Sequence, residues 1–263
     1  SYANWIEGGI QDNKKRKEAA EEKLYRIKTQ SEILKPSFIA PYASMVYFCN
    51  LENFYMNDSI NTPQKTIQFI ERETNSSCIM FRPNQIWQLG DHFNNDISIE
   101  FWKNKYEKAL LNPELIKIKS VDMEDILESE RKMKSRVWGK KQKLIVSILS
   151  MIKFFPDLNI YIKDLNKSLI FSWTKALQVN TLRNKDSIEI NSSALNFIFS
   201  FNYGVDTVFI NARFNANLKN TKKMIRSFSV LSLNNTGRYL TILGIFKFLN
   251  LSLIKRVLRF FKK

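Results

Sequence analysis

Histidine is almost missing from this chain of 263 residues, which has His92 alone, together with two cysteines, Cys49 and Cys78. Metal- and histidine-dependent catalysis needs imidazole, thiolate and carboxylate groups clustered around one point and held there by further partners. A working enzyme of that kind is therefore not expected from this chain alone. Two cysteines are too few for a disulfide scaffold and are not spaced as a metal pair, so a reducing, cytoplasmic compartment is the expectation. Glycine is scarce, at 7, which argues against glycine-rich phosphate loops. No run of about 18 uncharged apolar residues occurs, which disfavours a membrane-spanning helix. The opening Ser1-Tyr2-Ala3-Asn4-Trp5 has neither a charged nor an apolar signal region and no initiator methionine. The chain is expected to begin after processing or within something larger.

Acidic residues are also missing from one end. Lysine plus arginine number 41 against 25 acidic residues, a formal charge of +16, yet nothing after Asp206 is acidic. That stretch holds twelve basic residues, from Arg213 to Lys263, which leaves 29 basic against 25 acidic in the rest. The basicity reads as belonging to a tail, not to the fold. Hydrophobic residues at 44% and charged residues at 25% are otherwise ordinary for a globular chain.

What is present alternates in period. Residues 12–34 carry Ala20, Leu24, Ile27, Ser31 and Leu34 at steps of three and four, an amphipathic helix capped by Asp12 or Asn13 and ended by Pro36. A short strand over Ser37–Ala40 follows, then a polar loop from Cys49 to Asn61. Thr62-Pro63 is a helix start, with a capping hydroxyl and proline at the first helical position. Ser77–Phe81 reads as a strand with Gln85–Leu89 as its hairpin partner, and Ile97–Leu111 as a helix. Residues 112–120 make a linker or strand. A second unit opens near Ser120 with a helix from Asp122 to about Arg136, acidic early and basic late as its dipole favours. Lys143–Phe155 reads as an apolar helix. Short strand-like runs follow at Asn159–Asp164, Ser168–Trp173, Ala176–Thr181 and Ser187–Asn191. Ser192-Ser193 caps a brief helix over Ala194–Phe201, and Thr207–Phe214 alternates like a strand, giving an α+β unit with an antiparallel sheet. From Arg238 onward, Lys247, Lys255, Arg259 and Lys262 share one helical face and apolar residues fill the remainder. A basic helix lying in a membrane interface and a helix docked on the domain both fit that pattern.

Few residues offer chemistry. His92 sits in Gly90-Asp91-His92-Phe93, where a surface turn histidine is the plainer reading. Cys49 has no base near it in sequence, so simple burial is the plainer reading there too. Glu124, Asp125 and Glu128 are explained by the helix dipole. The stretch Cys49-Asn50-Leu51-Glu52-Asn53-Phe54-Tyr55-Met56-Asn57-Asp58 is the best candidate, because polar side chains interleave with aromatic ones in a loop directly after a buried strand.

Three stretches together are similar to the C-terminal half of a metallo-β-lactamase-fold protein: Ser1 to Trp5 with the helix to Leu34, Lys35-Pro36-Ser37-Phe38-Ile39-Ala40-Pro41-Tyr42-Ala43-Ser44, and Glu52-Asn53-Phe54-Tyr55-Met56-Asn57-Asp58. The branch it resembles is that of CMP-N-acetylneuraminate hydroxylase and related sugar- or lipid-linked hydrolases. The likeness covers about residues 1–110. It implies an α/β fold, part of an αββα sandwich over residues 1–111. It also implies a zinc or iron site whose His-x-His-x-Asp-His ligands lie in an N-terminal half missing from this sequence. The family's late histidine ligand falls on Asn50, and Ser44, Cys49, Glu52, Asn53, Asn57 and Asp58 become substrate-loop residues. Residues 159–214, with Asn191 to Leu195 and Gly204 to Phe214, resemble a sterol-carrier-protein-like module, which assigns residues 120–218 to a smaller α+β domain and 219–263 to a basic amphipathic tail. The implied role of that module is an apolar cavity for a hydrophobic substrate part; packing or dimerisation alone is the alternative.

The expected function is thus the C-terminal part of a metal-dependent hydrolase acting on a small-molecule, sugar- or lipid-linked substrate by metal-activated water. The alternative is a non-catalytic protein with a degenerate metal site, bound to an anionic membrane surface through residues 238–263, in the cytoplasm on the inner membrane face. No specific nucleic-acid partner is expected, because no module signature accompanies the charge.

Overall fold

The computed structural model describes residues 12–42, 46–180 and 186–241. The chain is mixed α/β and divides into two compact units: residues 1–118 with Phe209–Arg213, and residues 119–208 with 214–263.

The first unit begins with α1 (Asn13–Leu34). Asp12 caps it by accepting from Lys15 N, and Lys35, in the left-handed conformation at φ 46°, closes it with a bond to Ser31 O. Pro36 has no N–H and cannot continue the helix. Arg16, Ala20, Leu24 and Ser31 form its buried stripe. After β1 (Phe38–Ile39) and a 3₁₀ turn over Phe54–Ser59 comes α2 (Pro63–Glu73), capped by Thr62 as expected from the Thr-Pro pair. The strand β2 (Ser77–Cys78) pairs in parallel with β1, Phe38 opposite Ser77. α3 (Asp96–Leu111) completes the unit. Ile67, Ile70, Cys78 and Met80 form the core, covered by Ile27, Ile39, Ile99 and Trp102.

Gln85–Leu89 does not form the expected hairpin. Pro83 precedes Asn84, which has a positive φ of 62°, and the chain turns there. Ile86 and Leu89 stay 87% and 81% exposed, while the β2 backbone pairs with β1 instead.

The second unit holds α4 (Met123–Trp138), α5 (Lys143–Met151) and a five-stranded sheet. Its strands are β3 (Leu158–Ile162), β4 (Lys167–Phe171), β5 (Gln178–Asn180), β6 (Ile188–Ile190) and β7 (Phe214–Asn215), in the order β5-β4-β3-β6-β7. β3 and β6 run parallel and the other pairs antiparallel, so the sheet is mixed and not purely antiparallel. α6 (Ser192–Ser200) follows β6; Asp164 from the β3–β4 turn accepts from Ser192 N and Oγ at 2.8 and 2.5 Å. Phe171, Phe199, Phe228 and Trp173 stack at the centre, with ring centroids 5.0 Å apart for Phe171–Phe228 and 5.4 Å for Phe171–Trp173.

Two segments differ from the sequence expectation. Most of Thr207–Phe214 is not a strand: α7 (Gly204–Ile210) is helical, and Val205 and Val208 are buried at helical spacing. Residues 218–235 are not tail but α8 (Leu218–Asn235), capped by Asn217, with Met224, Phe228, Val230 and Leu231 buried. Lys219, Lys222, Lys223 and Arg226 therefore belong to a folded helix. The expected amphipathic segment beyond Thr241 lies outside the described residues.

Candidate functional site

The loop singled out in the sequence, Cys49–Asp58, turns Asn53, Met56 and Asn57 inward and leaves Leu51 and Asp58 at the surface. Asn57 is 8% exposed, and its carboxamide is fully used by neighbouring backbone. Its Oδ1 accepts from Phe48 N at 2.9 Å, and its Nδ2 donates to Phe48 O at 2.8 Å and Phe54 O at 2.9 Å. One side chain thus supplies the pairing that a missing strand neighbour would have given Phe48. Asn53 is 1% exposed; its Oδ1 accepts from Asn50 N at 3.2 Å and its Nδ2 donates to Asn211 O at 2.6 Å, inside the same unit.

The loop's carboxylates are held as firmly. Asp58 receives Arg16 through Nε at 3.2 Å and Nη2 at 2.5 Å, Asn13 at 2.5 Å, and the Ser59 hydroxyl. Burial raises the Asp58 carboxyl pKa, but hydrogen bonds from Arg16, Ser59 and Asn13 more than offset it, so it lies below its ordinary value of 3.8. Arg16 is only 1% exposed and stacks 5.0 Å from the Tyr55 ring centre. Glu52 pairs with Arg213.

Cys49 is half-buried, and its carbonyl accepts from Ile116 N at 2.7 Å. Asn50 forms an isolated parallel bridge with Ile116, which makes the expected linker or strand at 112–120 a single bridge. Ser44 lies outside the described residues. His92 is exposed and lies just past the turn at Leu89–Gly90, in irregular chain. Burial pushes the Cys78 thiol pKa up to about 12, which leaves it protonated and unreactive.

The structure therefore brings Cys49, Asn50, Glu52, Asn53, Asn57 and Asp58 together as one knot of chain-closing bonds. Zinc or iron, which the resemblance implies, fits this donor set poorly. Among the described residues no three His, Cys, Asp or Glu side chains gather around one point, and a carboxamide at Asn50 is a weak ligand beside imidazole.

Open clefts occur elsewhere. One of about 360 Å³ in the second unit is walled by Trp138 and Trp173 and reaches the pair Glu130–Lys134. These side chains are 2% and 4% exposed, and Lys134 also donates to Lys175 O at 2.5 Å and lies 5.3 Å from the Phe171 ring centre. Glu130 Oε1 faces Lys134 as an ion pair, off the direction of a hydrogen bond. Its net charge is zero and its donors are already engaged, which suits structure better than ligand capture.

The sequence reading missed α8 and its exposed Lys219, Lys222 and Arg226. The signal was there: Asn217 as a cap, then Met224, Phe228 and Leu231 at spacings of four and three. Among the described residues no carboxylate pairs with Lys219, Lys222, Lys223 or Arg226. No described helix is long and apolar enough to cross a membrane. Compared with protein-family models, with curated proteins and with solved structures, the chain matches none.

Proposed function

We propose that this chain is a non-catalytic binding protein that attaches to an anionic lipid surface through the basic side chains of its C-terminal end. One observation carries this reading: nothing after Asp206 is acidic, and the cations of α8 lie without carboxylate partners among the described residues. A cation near an anionic membrane contributes on the order of 1 kcal/mol, so the twelve basic residues after Asp206 can together hold the chain there even with half of them engaged elsewhere. Exposed Leu218 and Ile225, 37% and 52%, lie among these cations; such a mixture suits an interface between water and lipid better than a phosphate backbone, which rewards charge alone.

The metal-dependent hydrolase implied by the resemblance rests on sequence words, and its ligands would have to come from outside the described residues. The likeness of the second unit to a sterol-carrier module adds a lipid-linked ligand to either reading.

Vesicle flotation tests the proposal. The protein is expected to float with phosphatidylserine-containing vesicles at low salt, to detach at high salt, and to ignore pure phosphatidylcholine. Equal flotation with both vesicle types would overturn it.

A further inference from the structure

α5 buries one apolar side and leaves a second apolar side in solvent. Ile145 and Val146 face the core of the second unit. Leu144, Ile148, Met151 and Ile152 recur at helical spacing on the outward stripe and are 66%, 43%, 71% and 60% exposed; Phe154, just past the helix, is 47% exposed. Large aliphatic side chains scattered singly on a surface need no explanation, but a contiguous stripe marks a surface that something covers.

The surroundings say what covers it. Lys140, Lys141 and Lys143 just before the stripe and Lys153 just after it are exposed, and no acidic side chain lies between Glu130 and Asp157. An aliphatic stripe flanked by lysines has the composition of a helix that lies in a lipid headgroup layer, with its apolar groups below and its ammonium groups at phosphate level. The last described residues also arrive here. Leu240 N donates to Gln142 Oε1 at 2.8 Å, and Lys140 Nζ lies 5.3 Å from the Tyr239 ring centre. Residues 242–263, which follow in sequence, carry further cations and no acid. A second copy of this chain, or its own residues 242–263, would bring one basic rim against another. An anionic lipid surface meets both parts with opposite charge.

We infer that the outward stripe of α5 is the element that inserts into the anionic lipid surface, with Ile148 and Met151 at its centre. This rests on the lipid-surface reading above and adds a position and an apolar component to it. Electrostatic attraction brings the chain to the membrane; burial of the α5 stripe then strengthens an attachment that still depends on the charges and is lost with them at high salt.

The test is the double variant Ile148→Glu/Met151→Glu in the full chain. Both side chains are exposed, so its melting temperature is expected to match that of the unaltered protein. Its partition onto phosphatidylserine-containing vesicles is expected to fall at least about tenfold, since two aliphatic groups are no longer buried. In the unaltered protein, amide exchange over residues 144–154 is expected to slow when these vesicles are added. Flotation of the double variant equal to that of the unaltered protein would overturn the α5 inference and leave the lipid-surface reading intact. A dimer in solution that the variant dissolves, with flotation unchanged, would assign the stripe to a second copy and overturn it equally. Failure of the unaltered protein to float would overturn both.

Discussion

At the scale of single residues, the loop Cys49–Asp58 depends on a few polar side chains that stand in for backbone partners. Asn57 satisfies both the N–H and the C=O of Phe48, groups that water cannot reach. Arg16 and Asp58 do the same for charge: a guanidinium with a side-chain exposure of 2% is met by the Asp58 carboxylate and the Tyr55 ring. Asp58→Asn is expected to cost about 1–3 kcal/mol near neutral pH, below the usual cost of breaking a buried pair because Asp58 is itself 36% exposed. Because the folded carboxyl pKa is depressed, its contribution is complete above the unfolded value and disappears as pH falls through the folded one. Urea titrations of the protein and the variant should therefore differ at pH 7, begin to approach each other below about pH 4, and converge only below the depressed folded pKa. A constant difference down to the lowest pH would show that the Asp58 charge is not what holds Arg16.

At the scale of elements, helix ends were legible and strand pairing was not. Thr62-Pro63, Asp12 and Pro36 act within a few residues of themselves, so their roles need no knowledge of the fold. β2 was legible as a strand, but its partner was not. A neighbouring run, Gln85–Leu89, competed with the distant β1 for it, and only packing on Ile67 and Ile70 selects between them. The helix α7 was misread because Thr207–Phe214 also alternates. Gly204 decides that region: a Cβ there would sit 2.3 Å from Phe197 O and 2.8 Å from Ile198 Cα, both backbone atoms of α6. Gly204→Ala is accordingly expected to lose about 1–3 kcal/mol, or more if α6 cannot shift, read as a lowered thermal midpoint. An unchanged midpoint would mean that the α6–α7 approach is looser than these distances require.

At the scale of the whole molecule, charge and metal chemistry point in different directions. The excess of cations was plain from the sequence, although its assignment to a tail was too narrow, since α8 carries Lys219, Lys222, Lys223 and Arg226 within the folded second unit. Metal analysis of the purified chain is expected to find no zinc or iron in stoichiometric amount. One or more ions per chain would revive the metal-dependent hydrolase and direct attention back to Asn50 and its neighbours.

The sequence by itself determined where α1 and α2 begin and end, which residue types are too few for metal or thiol chemistry, and the sign of the net charge. Those properties are local or additive, so they can be read without coordinates. Only the tertiary structure decided that the polar loop turns its carboxamides inward, and that α5 keeps an apolar stripe outward while its other side is buried. Both are questions of which side of an element its neighbours cover. A pattern of polar and apolar residues along a chain records that a face exists, but not what lies against it.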